Sequence, residues 1–182
     1  MCLISGFKNL VTVGGESVPI RTDFRIWLLV NEILSSEAQA KDKIISVLGL
    51  VYSKLPNSFF EAVSAAMKFY AAGKDGVSCA RDIRVFDFKH DGELILAAFR
   101  QQYGINLLKE NMHWHEFLAL LSALGEDTMF IKVTRLRSMD LSKIKDAERR
   151  RALARLKKAY ALPVSEKEKR ENDELILSLK KR

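Results

Sequence analysis

Three observations predict a mostly α-helical fold: a compact helical domain with a small N-terminal β-hairpin and a basic C-terminal helical extension. Apolar residues recur at i, i+3, i+4 and i+7 along most of the chain. Only one stretch, near the start, pairs β-branched runs around a tight turn. The charge is also lopsided, with 14 Lys+Arg against 15 Asp+Glu in residues 1–134 and 16 against 8 in residues 135–182. The body is near neutral, so the tail carries the excess behind the net charge of +7. At 182 residues the chain can bury a core without cross-links. The expected division is a core domain over 1–138, with the hairpin in 1–22 and an internal loop at 73–86, followed by the basic extension over 139–182.

The hairpin rests on LVTV and ESVPI around Gly14-Gly15, with Pro19 restricting the second run to an edge. Thr22-Asp23 supplies a cap for a helix from Phe24 to Leu34, in which Phe24, Trp27, Leu28 and Asn31 share a face. A second helix, 38–52, sets Ile44, Ile45, Leu48 and Val51 on one side and stops before Pro56. A third, 58–72, has Phe59, Phe60, Val63, Ala66, Met67 and Tyr70 in helical rhythm, with Gly73 as a left-handed C-cap. Three short antiparallel helices are expected from these.

After the loop, a helix starts at His90 or Asp91, turns Leu94, Ile95, Ala98, Phe99 and Tyr103 inward and closes at Gly104. Asp91 serves as its cap, and Asp87 or Glu93 compensates its dipole. Another helix covers Met112 to Leu124. Residues 126–137 fit period 2 or a helix; the helix is preferred because a strand there has no evident partner. A long basic helix from Leu141 to Ala161 follows, then Pro163, and a last helix from Ser165 to Leu179 opened by a capping box.

The most suggestive chemistry lies in NMHWHEFLALLSAL, where His113 and His115 flank Trp114 and Glu116 follows. Counting about 100 degrees per residue from His113, the residues Trp114, Phe117, Leu118, Leu120, Leu121 and Leu124 fall on one apolar arc. His115 falls near 200 degrees on the same count, facing away from His113 with Glu116 on a solvated face. Helical chelation wants i, i+4 spacing, which is missing. His113 is thus expected at the rim of the core, hydrogen-bonded to a neighbour.

No GxSxG, P-loop, GxGxxG or HExxH occurs. Asp87, Asp91 and Glu93 beside His90 read as caps and dipole compensation. No catalytic residue, metal or cofactor is expected, and the chain is read as no enzyme. Cys2 and Cys79 are in no ligand spacing and are read as free thiols of a reducing cytoplasm. MCLISGFKNL lacks the build of a secretory leader, and no apolar run approaches a membrane span. Trp27, Trp114, Phe69, Phe99 and Phe117 are expected in the core. The residues assigned to partner binding are Arg149, Arg150, Arg151, Arg155, Leu156, Lys157 and Tyr160, with Ala152 and Ala159 completing an apolar stripe.

Four stretches resemble the phage family known as gene product fifteen: RTDFRIWL; FDF followed by ELILAAFRQQYGINL; MHWHEFLALLSAL; and DTMFIKVTRLR. The likeness covers roughly residues 10 to 162 and leaves out the tail after Pro163. Where that family usually has a second tryptophan, this chain has His115, and a position that accepts an indole or an imidazole does not fit a metal ligand. The resemblance implies a tail morphogenesis protein, encoded between the major tail protein and the tape measure, acting as a tail assembly chaperone. Its implied partners are the tape measure protein and the tail tube protein, with self-association open. Its implied location is the host cytoplasm and not the mature virion. Two alternatives stay on the table: nucleic-acid binding through Arg149, Arg150, Arg151, Arg155, Lys157 and Lys158, and a metal-dependent enzyme around His90, Asp91, His113 and Glu116.

Overall fold

The computed structural model describes residues 6–72 and 85–163. The chain runs β1 (Leu10–Val13), β2 (Glu16–Pro19), α1 (Phe24–Ser35), α2 (Ala40–Val51), α3 (Phe59–Tyr70), α4 (Gly92–Tyr103), α5 (Trp114–Ser122), α6 (Met129–Ser138), a 3-10 turn (Leu141–Lys143) and α7 (Ala147–Ala159). The fold is mostly helical with a two-stranded antiparallel hairpin, as the periodicity predicts. Cys2, Cys79, Gly73 and the final helix expected over 165–179 lie outside the described residues.

The hairpin pairs Val13 with Glu16 and Leu10 with Pro19 around two glycines, both at positive φ. That double left-handed turn matches the right-handed twist of the strands, and glycine adopts it without a Cβ clash. β1 lies on α3, where the Gly14 N–H donates to the Glu61 carboxylate. α1 packs on α2 and α5, while α4 joins α5 to α6.

The core gathers Phe24, Trp27, Val30, Val47, Leu48, Val51, Phe69, Phe99, Trp114, Phe117 and Phe130, all at most 6% exposed. All five aromatics expected inside are there. Two helix faces sit differently from expectation. α2 buries Val47, Leu48 and Val51 and leaves Ile45 53% exposed; α3 buries Ala62, Ala65, Ala66 and Phe69 and leaves Phe60 85% exposed. On α3 the small residues face in, against β1 and α2. Alanines allow close approach, whereas the Phe59-Phe60 pair sits on the first turn, outside that contact.

Elsewhere the ends follow the sequence. Asp23 accepts from the Arg25 amide at 2.8 Å, and Gly104 closes α4 at φ +71. Residues 129–138 are helical, so the helix reading of that ambiguous segment holds. The expected continuous helix from 141 to 161 is broken: Asp140 caps the 3-10 turn through Ser142, and Asp146 caps α7 through Arg149. Each aspartate offers the backbone an alternative to continuing the helix, which is why the chain resets at 144–146.

α1 and α5 begin at a shared joint. Asp23 and His113 form an antiparallel bridge, in which Phe24 N–H donates to Met112 O at 3.0 Å and Trp114 N–H donates to Thr22 O at 2.7 Å. Each helix start leaves free amides, and here the lead-in of one helix satisfies the first amide of the other. The side chains then cross: Phe24 stacks on Phe117 with centroids 4.9 Å apart, and Trp27 on Trp114 at 6.4 Å. The matching residue of each pair sits one or four positions after its cap.

Candidate functional site

His113 is the N-cap of α5, with φ −68 and ψ 141, and not a helical residue. Its Nδ1 accepts from the His115 N–H at 3.0 Å, so in the neutral ring the proton sits on Nε2, which donates to Lys8 O at 3.3 Å. This answers what the rim histidine bonds to. His115 does not point away from it. The two ring centroids are 5.0 Å apart, and His115 Nε2 donates to Phe69 O at 2.7 Å. Phe7 stacks on His113 at 4.8 Å, and Phe69 lies 4.3 Å from His115. The expectation of opposite faces fails because His113 lies in extended backbone, where the 100-degree helical step does not apply. A cap side chain folds back over the first turn, which brings it beside the residue two positions on.

Sharing a pocket does not make these rings a ligand pair. Both Nε2 atoms are held by main-chain carbonyls, and His113 Nδ1 is the helix cap. Among the described residues no group of three His, Cys, Asp or Glu is placed to hold a metal. Burial, then the nearby His115, lowers the His113 pKa, outweighing the hydrogen bond to Lys8. His113 therefore favours the neutral form that its cap role requires.

The acidic cluster also resolves into structural roles. Asp87 Oδ1 accepts from the amides of Lys89 and His90 and lies 2.9 Å from the His90 ring. Asp91 makes no side-chain cap to α4, contrary to expectation. It accepts from the Asp87 amide and forms a two-pronged ion pair with Arg137, at 2.6 and 2.8 Å, with both side chains buried. Arg137 also donates to Val85 O and Tyr160 O, so one guanidinium ties α4, the 85–91 segment and the end of α7 to α6. Glu116 stands exposed on α5. The four residues of the metal-enzyme alternative thus have separate settings: His90 with Asp87, Asp91 with Arg137, His113 at the cap and Glu116 in solvent.

α7 is the other candidate, and none of its residues is buried. It packs on α6 and the 3-10 turn through one side, where Lys157 donates to Met139 O at 2.7 Å and Arg150 to Ile144 O at 3.2 Å. The stripe of Ala152, Leu156, Ala159 and Tyr160 is on the free side, with Leu156 48% and Tyr160 38% exposed. Arg149, Arg151, Arg155 and Lys158 are exposed, and none forms an ion pair with a described residue. Of the seven residues assigned to partner binding, Lys157 and Arg150 are therefore anchored inward by carbonyls, and Tyr160 has its carbonyl taken by Arg137. Sequence reasoning missed the Asp91–Arg137 pair. It also missed a cleft of about 430 Å³ between α1, α4 and the lead-in to α5, lined by Phe24, Leu28, Leu96, Leu107, Leu108 and Phe117. Leu108, 75% exposed, marks its mouth.

The fold and α7 together define a small helical protein that ends, in its described part, on an exposed basic helix. Comparison with family models matches residues 7–162 to the family described as Bacteriophage Gp15 protein, and the chain belongs to that phage family. No curated protein and no solved structure gives a significant match. Among the described residues no helix is long and apolar enough to cross a membrane.

Proposed function

We propose that this protein serves phage tail morphogenesis as a tail assembly chaperone, holding the tape measure protein, and the tail tube protein as it assembles, through α7. The observation that carries the reading is the apolar stripe of α7, open to solvent on a helix whose cations have no ion-pair partner among the described residues. An amphipathic face left open in this way fits a helix-in-groove contact. Membership of a phage family agrees with the setting. The protein would act in the host cytoplasm and be absent from the finished virion.

Co-expression with the tape measure tests this. The tape measure should become more soluble and co-purify with this chain; unchanged solubility and no co-purification reject the role. Arg149, Arg151, Arg155 and Lys158 also favour nucleic acid as a second reading, since unpaired cations suit phosphates. A gel shift at low salt decides it, because absence of binding there removes it.

A further inference from the structure

We propose that the partner surface taken by α7 is an amphipathic helix with a line of carboxylates beside its apolar seam. This rests on the reading of α7 as the contact helix and adds the chemistry of what it contacts. Two stripes run side by side along the free face. Ala152, Leu156 and Ala159 are spaced i, i+4, i+7, and Arg151, Arg155 and Lys158 repeat that spacing one residue earlier. All six are exposed. The inward side of the helix is already occupied by the Lys157 and Arg150 contacts to Met139 O and Ile144 O, which fixes the rotation of α7 about its axis.

The apolar stripe suits a helix. Ala152 and Ala159 flank Leu156, so a neighbouring backbone can come close on either side of one large side chain, at the lower end of the 8–10 Å range typical of packed helices. A lipid surface is a poorer fit, because interfacial helices insert large apolar residues and two of these three stripe positions are alanine. A second copy of α7 is disfavoured by charge in either direction, since each carries six cations against one carboxylate. Nucleic acid would use the cations and leave Leu156 and Tyr160 without a partner. Charge complementarity along the parallel stripe calls for carboxylates, one stripe-width from the seam.

The experiment uses the full chain and two synthetic amphipathic peptides with the same leucine-alanine face, one flanked by glutamate and the other by lysine. The glutamate peptide should bind with an affinity that falls as salt screens exposed charges, and the lysine peptide should not. Leu156→Glu should weaken binding by about tenfold or more while leaving the melting curve unchanged, since the side chain is at the surface. The triple variant Arg151→Glu, Arg155→Glu, Lys158→Glu should reverse the preference between the peptides. Equal binding of both peptides, binding of neither, or stronger binding to anionic vesicles would overturn the proposal. The tape-measure role is read separately. A triple variant that still solubilises the tape measure as well as the parent does would defeat this inference and keep that role. Binding of the glutamate peptide without any effect on the tape measure would do the reverse.

Discussion

The joint where α1 and α5 begin and the exposed arm formed by α7 use polar side chains in opposite ways. At the joint the following polar groups are held by protein partners: Asp23 and His113 cap helices, Arg25 donates to Leu107 O and Glu110 O, His115 to Phe69 O, and the Trp27 and Trp114 ring N–H groups to Arg21 O and Tyr70 O. No buried side-chain nitrogen or oxygen among the described residues lacks a hydrogen bond. On α7 the exposed cations have no ion-pair partner among the described residues, and Leu156 and Tyr160 of the apolar stripe stand 48% and 38% exposed. A histidine-rich motif thus serves the architecture, while a plain charge run forms an exposed surface.

The largest way to break this contrast is Trp114→Ala. Trp114 is 1% exposed, and its ring stacks on Tyr70 at 5.6 Å as well as on Trp27 and Phe117. Emptying that volume should cost about 3–5 kcal/mol in urea unfolding, against a typical total of about 5–15 kcal/mol. A loss under about 1 kcal/mol would show that the joint is not the centre of the fold.

Next comes the ion pair that ties the end of α7 to α4 and α6. Removing one member of the buried Asp91–Arg137 pair should cost about 3–5 kcal/mol, because the other charge is left buried and unpaired. Asp91→Leu with Arg137→Met should cost less than Asp91→Leu alone. The Arg137 variants should also open the end of α7 to proteolysis before the rest of the protein, since the Tyr160 carbonyl loses its donor.

A smaller effect follows pH. The folded His113 pKa lies below the ordinary value of 6.5, chiefly through burial. The neutral ring is the one that folding favours, so its contribution is complete above the unfolded value and is lost as pH falls from about 6.5 toward the lower folded value. Protonation puts a hydrogen on Nδ1, where the His115 amide needs an acceptor. The urea midpoint should therefore drop between about pH 7 and pH 5, and His113→Asn, which keeps a cap acceptor without titrating there, should flatten part of that slope. Equal slopes in both proteins would mean that the cap does not sense pH.

Local chemistry made much of the fold legible. Gly14-Gly15, Asp23 and Gly104 each carry a backbone requirement within one or two residues, and the structure meets all three. Faces were harder where apolar residues outnumber one stripe. On α3, Phe59 and Phe60 look more like core than Ala62 and Ala65, and only the approach of β1 and α2 selects the alanines. The break at 144–146 had a signal in Asp140 and Asp146, which a basic run with an apolar stripe masked. His115 defeats a helical count that begins at His113, because His113 is the cap and lies in extended backbone. Asp91 had no local signal for its true role, because its partner Arg137 is 46 residues away.

The smallest effect on stability belongs to α7. Arg151→Ala and Arg155→Ala remove exposed groups with no ion-pair partner among the described residues, so unfolding should change by no more than about 0.5 kcal/mol. Arg137, by contrast, holds the same arm from inside. If the surface variants leave stability alone but weaken capture of the tape measure, while Asp91→Leu with Arg137→Met loosens the arm without altering its exposed stripes, the two functions of charge in this protein separate cleanly. If the surface variants instead lower stability as much as Trp114→Ala does, α7 is part of the core's own support and the contrast between joint and arm collapses.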